Sequence, residues 1–132
     1  MLPTLSLLVL RSATPVLTLR FYEALGLAFA TEQHGTGPAH RACVLGETVL
    51  EIYPHRDGAD RARADDTRLG LRVADLDAAL AAAIASGATV HTQPSAASPR
   101  AVLRDPDGRL VELTTWPPTP SPGDASTGAA DG

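Results

Sequence analysis

The chain of 132 residues is long enough for one ordinary domain with a hydrophobic core and too short for two independent ones. It is 44% hydrophobic with a formal net charge of −4, and no basic run or basic face indicates a nucleic-acid partner. All 11 cationic side chains are Arg, which excludes Schiff-base catalysis by Lys. The single Cys43 cannot form an internal disulfide.

No segment approaches the roughly 20 apolar residues of a membrane span, and residues 1–15 lack the basic region of a signal peptide. We therefore expect a cytoplasmic protein without a membrane partner.

The first half of the sequence predicts a strand, a helix and three further strands. Thr14 is predicted to cap the helix, Pro15 to be its first residue and Gly26 to end it. The predicted strands are short runs of branched and apolar residues, at 5–10, 27–32, 40–45 and 48–53. Residues 55–66, which are rich in Arg and Asp, are predicted to be a solvated linker.

The second half repeats the same order of elements. Asp75 is predicted to cap a helix that ends at Gly87. The predicted strands lie at 68–73, 89–93, 100–104 and 109–114. Between the last two, Asp107-Gly108 is a strong signal for a two-residue hairpin turn. Residues 117–132, rich in Pro, Gly, Ser and Ala, predict a flexible tail.

A constant offset of 61 residues relates the two halves. The corresponding positions are Gly26 and Gly87, Glu51 and Glu112, Leu8 and Leu69, and Leu10 and Leu71. Because helix ends and strand acids recur with one constant offset, the sequence predicts a duplicated βαβββ module. We expect one domain at 1–116, with module one at 4–54, the linker at 55–66 and module two at 67–116.

Strand alternation assigns the side chains to two faces of the predicted sheets. In the last strand, Val111 and Leu113 share one apolar face, and Glu112 points to the other. Glu51 and Arg68 interrupt their own strands in the same way. The apolar face is expected to lie under the helices, and the polar face to line any concavity that the sheets form.

Three stretches carry a resemblance to a known family: LRFYEALGL (19–27), VADLDAAL (73–80) and DPDGRLVEL (105–113). In this order, on a tandem repeat, they resemble the vicinal-oxygen-chelate superfamily, which includes glyoxalase I, bleomycin-resistance proteins and extradiol dioxygenases. The resemblance implies an α+β fold, in which two tandem βαβββ modules form a curled mixed sheet around an open cleft. It also implies a homodimer.

The resemblance places four positions where metal-dependent members of the superfamily hold their ion. In this sequence they are Leu7, Glu51, Arg68 and Glu112. Leu7 has no lone pair to donate and Arg68 does not deprotonate, whereas a catalytic metal needs about three protein ligands. We therefore expect no metal or other cofactor, and expect Arg68 to lie between the two acids in an ion-pair cluster. The histidines follow no ligand spacing and are predicted to be structural or exposed; they are His34, His40, His55 and His91.

The leading functional hypothesis is sequestration of a small polar or cationic molecule in the cleft, without a metal, as the resemblance to the bleomycin-resistance branch implies. The residues predicted to contact this ligand are Leu7, Glu51, Tyr53, Arg68, Arg72, Glu112 and Trp116. Whether the protein is an enzyme stays open. One alternative is a metal-independent acid/base isomerase that uses Glu51 and Glu112, and another is a metal-dependent lyase or dioxygenase with ligands recruited from the histidines. A partner-binding domain with a degenerate cleft is a further alternative.

Overall fold

The computed structural model describes residues 1–56 and 67–117. Most of the predicted linker, at 57–66, and most of the predicted tail, at 118–132, lie outside the described residues. Within the described residues the chain forms, in order, β1 (Leu7–Ser12), α1 (Pro15–Ala24), β2 (Ala30–Glu32), β3 (His40–Leu45), β4 (Thr48–Pro54), β5 (Arg68–Val73), α2 (Leu76–Ala85), β6 (Thr89–Thr92), β7 (Ala101–Arg104) and β8 (Leu110–Thr115).

The duplication predicted from the sequence is confirmed. Both ends of α1 and α2 are related by the offset of 61 residues, and so are the ends of β1 and β5. Each helix is followed by a glycine with positive φ, 103° at Gly26 and 96° at Gly87, a conformation that glycine adopts without strain. The strand predicted at 5–10 is shifted, because pairing with β4 continues as far as Ser12 opposite Pro54. The fold is α+β, with two tandem βαβββ modules.

Each module forms its own four-stranded mixed sheet. The strand orders are β1-β4-β3-β2 and β5-β8-β7-β6, with β1 parallel to β4 and β5 parallel to β8. The registers are equivalent, since Val9 pairs with Glu51 in the first sheet and Gly70 pairs with Glu112 in the second. Within the described residues, β1 and β5 are therefore edge strands of two separate sheets.

One continuous core lies between the helices and one face of each sheet. Its buried members are Leu10, Phe21, Tyr22, Leu25, Leu50, Ile52, Val73, Ala79, Leu80, Ala83, Ala101, Leu103, Val111 and Leu113. The predicted alternation is confirmed, because Val111 and Leu113 are fully buried and Glu112 between them is not. We call the face of each sheet that is turned away from this core its open face. The first open face includes Val9 and Glu51, and the second includes Gly70 and Glu112.

The two helices begin in different ways. Asp75 caps α2 as predicted, because its side chain accepts a hydrogen bond from the backbone N–H of Ala78 at 3.0 Å. Thr14 occupies the N-cap position of α1 as predicted, but its side chain makes no capping hydrogen bond. The backbone N–H of Ala13 instead donates to Asp107 of the second module at 2.9 Å.

The connection between β7 and β8 is longer than the predicted two-residue turn. It spans 105–109, because Asp105 Oδ1 accepts hydrogen bonds from the backbone N–H groups of Asp107 and Arg109, at 2.9 and 3.0 Å. The backbone N–H of Asp105 also donates to the carbonyl of Arg109 at 2.9 Å. Gly108 has a φ of 95°, which confirms the part of the prediction that required positive φ there.

This connection, which we call the 105–109 loop, holds the two modules together through buried polar groups. Asp107 Oδ2 accepts a hydrogen bond of 2.7 Å from Thr18 of α1. Tyr22, also on α1, donates to Asp105 at 2.8 Å. Arg109 contacts both acids, at 3.2 and 3.5 Å, and donates to the backbone carbonyl of Arg11. The side chains of Asp105, Asp107 and Arg109 are at least 95% buried. Their hydrogen bonds therefore satisfy polar groups that water does not reach, on both sides of the module boundary.

The ionisation of two groups reflects this environment. Burial raises the pKa of Tyr22, and the neighbouring charge and hydrogen-bond acceptor of Asp105 raise it further. Burial also acts to raise the pKa of Asp107, but hydrogen bonds from Ser12, Thr18 and the Ala13 backbone outweigh it, so the net shift is downward. Asp107 is thus held as a carboxylate inside the domain.

Within the described parts of the chain, neither helix has the length and apolar character needed to cross a membrane.

Candidate functional site

A buried histidine is the centre of the polar cluster on the first open face. His40 Nε2 lies 2.7 Å from Glu51 Oε2, and the histidine side chain is 1% exposed. The antiparallel pairing of β3 with β4 places Arg41 opposite Ile52, so His40 lies beside Tyr53 on the open face. The two rings stack with their centroids 4.2 Å apart. Strand pairing therefore fixes both the position and the plane of the imidazole.

Two further residues from the β2–β3 hairpin complete this cluster. Glu32 pairs with His40 in the ladder, and its Oε2 lies 3.3 Å from His40 Nε2. His34, just after β2, has its Nε2 3.6 Å from the same carboxylate oxygen. His40 is buried and His34 is exposed, as predicted, and the hairpin brings the two together, which the sequence spacing did not indicate. Glu32 and His34 are two residues apart at the end of a strand, a spacing typical of side chains on one face.

The polar cluster on the second open face is an ion-pair cluster. Glu112 accepts a hydrogen bond from Arg100 at 2.6 Å and lies 3.7 Å from Arg68. The hydrogen bond from Arg100 lowers the pKa of Glu112, and the charges of Arg100 and Arg68 add to that effect against a smaller effect of burial. Glu112 is 27% exposed and Arg68 is 47% exposed, so solvent screens this ion pair, and it contributes under about 1 kcal/mol to the free energy of unfolding.

Arg100 was missed in the sequence, although strand alternation points to it. Val102 pairs with Glu112, and Arg100 precedes Val102 by two residues on the same side of the strand. Alternation along the predicted strand at 100–104 would have placed Arg100 on the side of Val102, and so beside Glu112.

An arginine lies over an aromatic ring in each module. The Arg11 guanidinium is 4.6 Å from the centre of the Tyr53 ring, and the Arg72 guanidinium is 5.1 Å from the centre of the Trp116 ring. The two arginines are 61 residues apart, at equivalent positions of β1 and β5. Burial raises the pKa of Tyr53, and the charge of Glu51 raises it further. Each open face thus has an aromatic surface with a cation beside it.

The structure brings some of the predicted ligand-contacting residues together and leaves others apart. Arg68 contacts Glu112, Tyr53 is beside Glu51, and Arg72 is over Trp116. In residues 1–56 and 67–117, no ion pair joins Arg68 to Glu51, so the arginine expected between the two acids contacts only the acid of its own module. Leu7 lies at the exposed edge of the first open face, opposite Val49.

The four positions that hold metal in the superfamily do not fit a metal ion in this chain. Leu7 and Arg68 offer no lone pair to a cation. Glu112 is engaged by two guanidinium groups, which supply the positive charge that an ion would otherwise bring. Glu51 alone remains, and one carboxylate does not make a catalytic metal centre.

A concavity of about 450 Å³ lies elsewhere, between α1, the residues that follow α2, and the 105–109 loop. None of the seven predicted ligand-contacting residues lines it. The open faces, rather than this concavity, are the candidate site, because they bring charged and aromatic side chains into contact at corresponding positions of the two modules.

Comparison with known proteins agrees with this architecture. The family model of the glyoxalase-like domain matches residues 8–114. A comparison with curated protein sequences finds no match.

Several solved structures have the same fold. An antibiotic-binding protein from a Streptomyces species, TnmS3, is 20% identical, with a TM-score of 0.64 over 88% of this chain and 98% of that chain. A fosfomycin resistance protein from Mesorhizobium loti, FosX, is 16% identical, with a TM-score of 0.64 over 89% of this chain and 95% of that chain. A glyoxalase/bleomycin resistance protein from Albidiferax ferrireducens is 21% identical, with a TM-score of 0.64 over 85% of this chain and 98% of that chain. At these identities the likeness shows the fold alone.

Proposed function

Because the chain belongs to the glyoxalase-like domain family, within the vicinal-oxygen-chelate superfamily, we propose that it sequesters a small polar molecule on its open faces. The observation that carries this proposal is the division of charge between the two faces. The first has two carboxylates next to a buried histidine, and the second has two arginines next to a single carboxylate. A guest with a cationic group and a hydrogen-bond acceptor would find a partner for each.

The aromatic side chains support the same class of guest. Tyr53 and Trp116 each present a ring on or next to an open face, and Trp116 is largely exposed. Small-molecule sites combine such apolar surfaces with a few fixed polar groups. The structural likeness to an antibiotic-binding protein and to a fosfomycin resistance protein is in keeping with a small-molecule guest.

The contact between His40 and Glu51 favours a second candidate function, a metal-independent acid/base isomerase. In such an enzyme Glu51 would accept a proton from the substrate, with His40 holding the carboxylate in place at 2.7 Å. Glu112 is a weaker candidate for the base, because its arginine partners lower its pKa. Binding without turnover remains the leading proposal.

A ligand-observed NMR screen of small polar molecules, run in the presence of EDTA, tests the proposal. We expect hits that the protein returns chemically unchanged, and we expect Trp116→Ala to weaken their binding about tenfold through the loss of an aromatic contact. Ile84→Ala is the matched control, since Ile84 is an exposed apolar residue on α2. A hit that is converted to product would favour the isomerase, and equal binding by all three proteins would place the guest elsewhere.

We further propose that two copies of the chain form a homodimer. β1 and β5 are edge strands, and three apolar side chains of the first open face, Leu7, Val9 and Val44, are exposed. We expect sedimentation velocity to give a dimer at micromolar concentration and Val44→Glu to dissociate it. A monomer in the parent protein would contradict the proposal, and a Val44→Glu dimer would show that the interface lies on another surface.

A further inference from the structure

We propose that Glu32, His34 and His40 form a binding site for a divalent late transition metal ion, with Zn²⁺ as the simplest occupant. This site is distinct from the four positions that hold metal in the superfamily, since none of those positions supplies one of its three ligand atoms. It lies at the β2–β3 hairpin of the first module. The inference goes beyond the proposed function, because the guest does not need the ion in order to bind.

The distances between the ligand atoms fit a metal ion. Glu32 Oε2 is 3.3 Å from His40 Nε2 and 3.6 Å from His34 Nε2, and all three atoms lie within 4.8 Å of one another. In a tetrahedral site with bonds of about 2.0–2.2 Å, neighbouring ligand atoms are about 3.3–3.6 Å apart. Two of the three ligand–ligand distances therefore already match, and the third pair can reach it by rotation of the exposed His34 side chain.

The buried histidine is oriented for coordination. Its Nδ1 faces the carbonyl oxygen of Pro38 at 3.5 Å, so the ring proton would have an acceptor at Nδ1 once an ion replaces the contact of Nε2 with Glu51. Nε2 faces two carboxylates, at 2.7 Å for Glu51 and 3.3 Å for Glu32. A single N–H on this atom can satisfy only one of them, whereas a divalent cation among them interacts with both.

The type of ligand selects the class of metal. Imidazole nitrogen with carboxylate oxygen is the donor set of Zn²⁺, Ni²⁺ and related ions, whereas Ca²⁺ and Mg²⁺ prefer oxygen alone. Glu51 Oε2 lies 2.7 Å from His40 Nε2 and places a second negative charge beside the three ligands. The stacked Tyr53 ring holds the imidazole plane before the ion arrives. The buried ligand of the site is therefore oriented before the ion binds.

The full chain, stripped with EDTA and dialysed, would be titrated with ZnCl₂ alone by calorimetry, with thermal melting as a second measurement. We expect one ion per chain and a rise in melting temperature. We expect Glu32→Gln and His34→Ala to weaken the affinity for Zn²⁺ at least about tenfold. Replacing residues that only hydrogen-bond to a metal ligand already changes metal affinity by that much. Both substituted side chains are substantially exposed, so the variants should fold.

Two matched controls make the result decisive. His91→Ala removes an exposed histidine of the second module, and Glu112→Gln removes the acid at a superfamily metal position. Both should bind Zn²⁺ as the parent does. The proposal is overturned if the parent shows neither heat nor a melting shift, if His34→Ala binds as the parent does, or if either control weakens binding as much as His34→Ala. Imidazole NMR signals provide an independent check, since those of His34 and His40 should shift and that of His91 should not.

Discussion

Replacement of Asp107 with Ala is expected to lower the free energy of unfolding by about 3–5 kcal/mol, which is typical of removing one partner from a buried ion-pair network. Asp107 accepts hydrogen bonds from Ala13 and Thr18 of the first module and lies 3.5 Å from Arg109. Without it, the start of α1 loses its acceptors and the buried arginine keeps only Asp105 as an acidic partner.

Urea unfolding at fixed protein concentration measures this effect, with Asp77→Ala as the control. Asp77 is an exposed acid in the first turn of α2, where its removal should cost under about 1 kcal/mol. A loss for Asp107→Ala that is no larger than that of the control would show that the 105–109 loop does not hold the modules together.

The difference between the parent and Asp107→Ala should also depend on pH, with a defined sign. The pKa of Asp107 is lower in the folded protein than in the unfolded chain. Its ionisation therefore contributes stability that is fully present above the unfolded pKa of about 3.9, and that is lost as the pH falls through the lower folded pKa. The gap between the two unfolding free energies should thus be constant near neutral pH and narrow below about pH 4. A gap that widens with acid would contradict the assigned ionisation.

The second large effect is expected in β8, where adjacent residues lie on opposite faces. Leu113 is 0% exposed within the core, so Leu113→Ala should lower the free energy of unfolding by about 2–5 kcal/mol through lost burial and a cavity. Thr114→Ala, one residue further on the open face, should change it by about 0.5 kcal/mol or less. Comparable losses in the two variants would mean that the face assignment, and with it the position of Glu112, is wrong.

The features that could be predicted from the sequence are those with a local or periodic cause. The ends of α2 follow from Asp75 and Gly87, which act within a few residues of their own position. The faces of β4 and β8 follow from alternation, which any run of apolar and polar residues displays. The offset of 61 residues then extended each local assignment from one module to the other.

The features that could not be predicted depend on contacts between distant parts of the chain. The acceptor for the Thr18 hydroxyl is 89 residues away, and no pattern near Thr14 indicates that its own side chain would be left out. The burial of His40 likewise depends on Tyr53 and on the pairing of β2, β3 and β4. Arg100 differs from these residues, because alternation along the predicted strand at 100–104 was enough to place it beside Glu112.

The 105–109 loop also makes the helix start of module one depend on a part of module two that is synthesised later. The equivalent connection in the first module is the short turn at Gly46, and the position of Asp75 is taken there by Thr14, which does not cap its helix. The helix start of module two is capped by its own Asp75. The helix start of module one instead uses Asp107, which follows Thr18 by 89 residues in the chain. During synthesis, the helix start of module one therefore gains these acceptors only after Asp107 has been added to the chain.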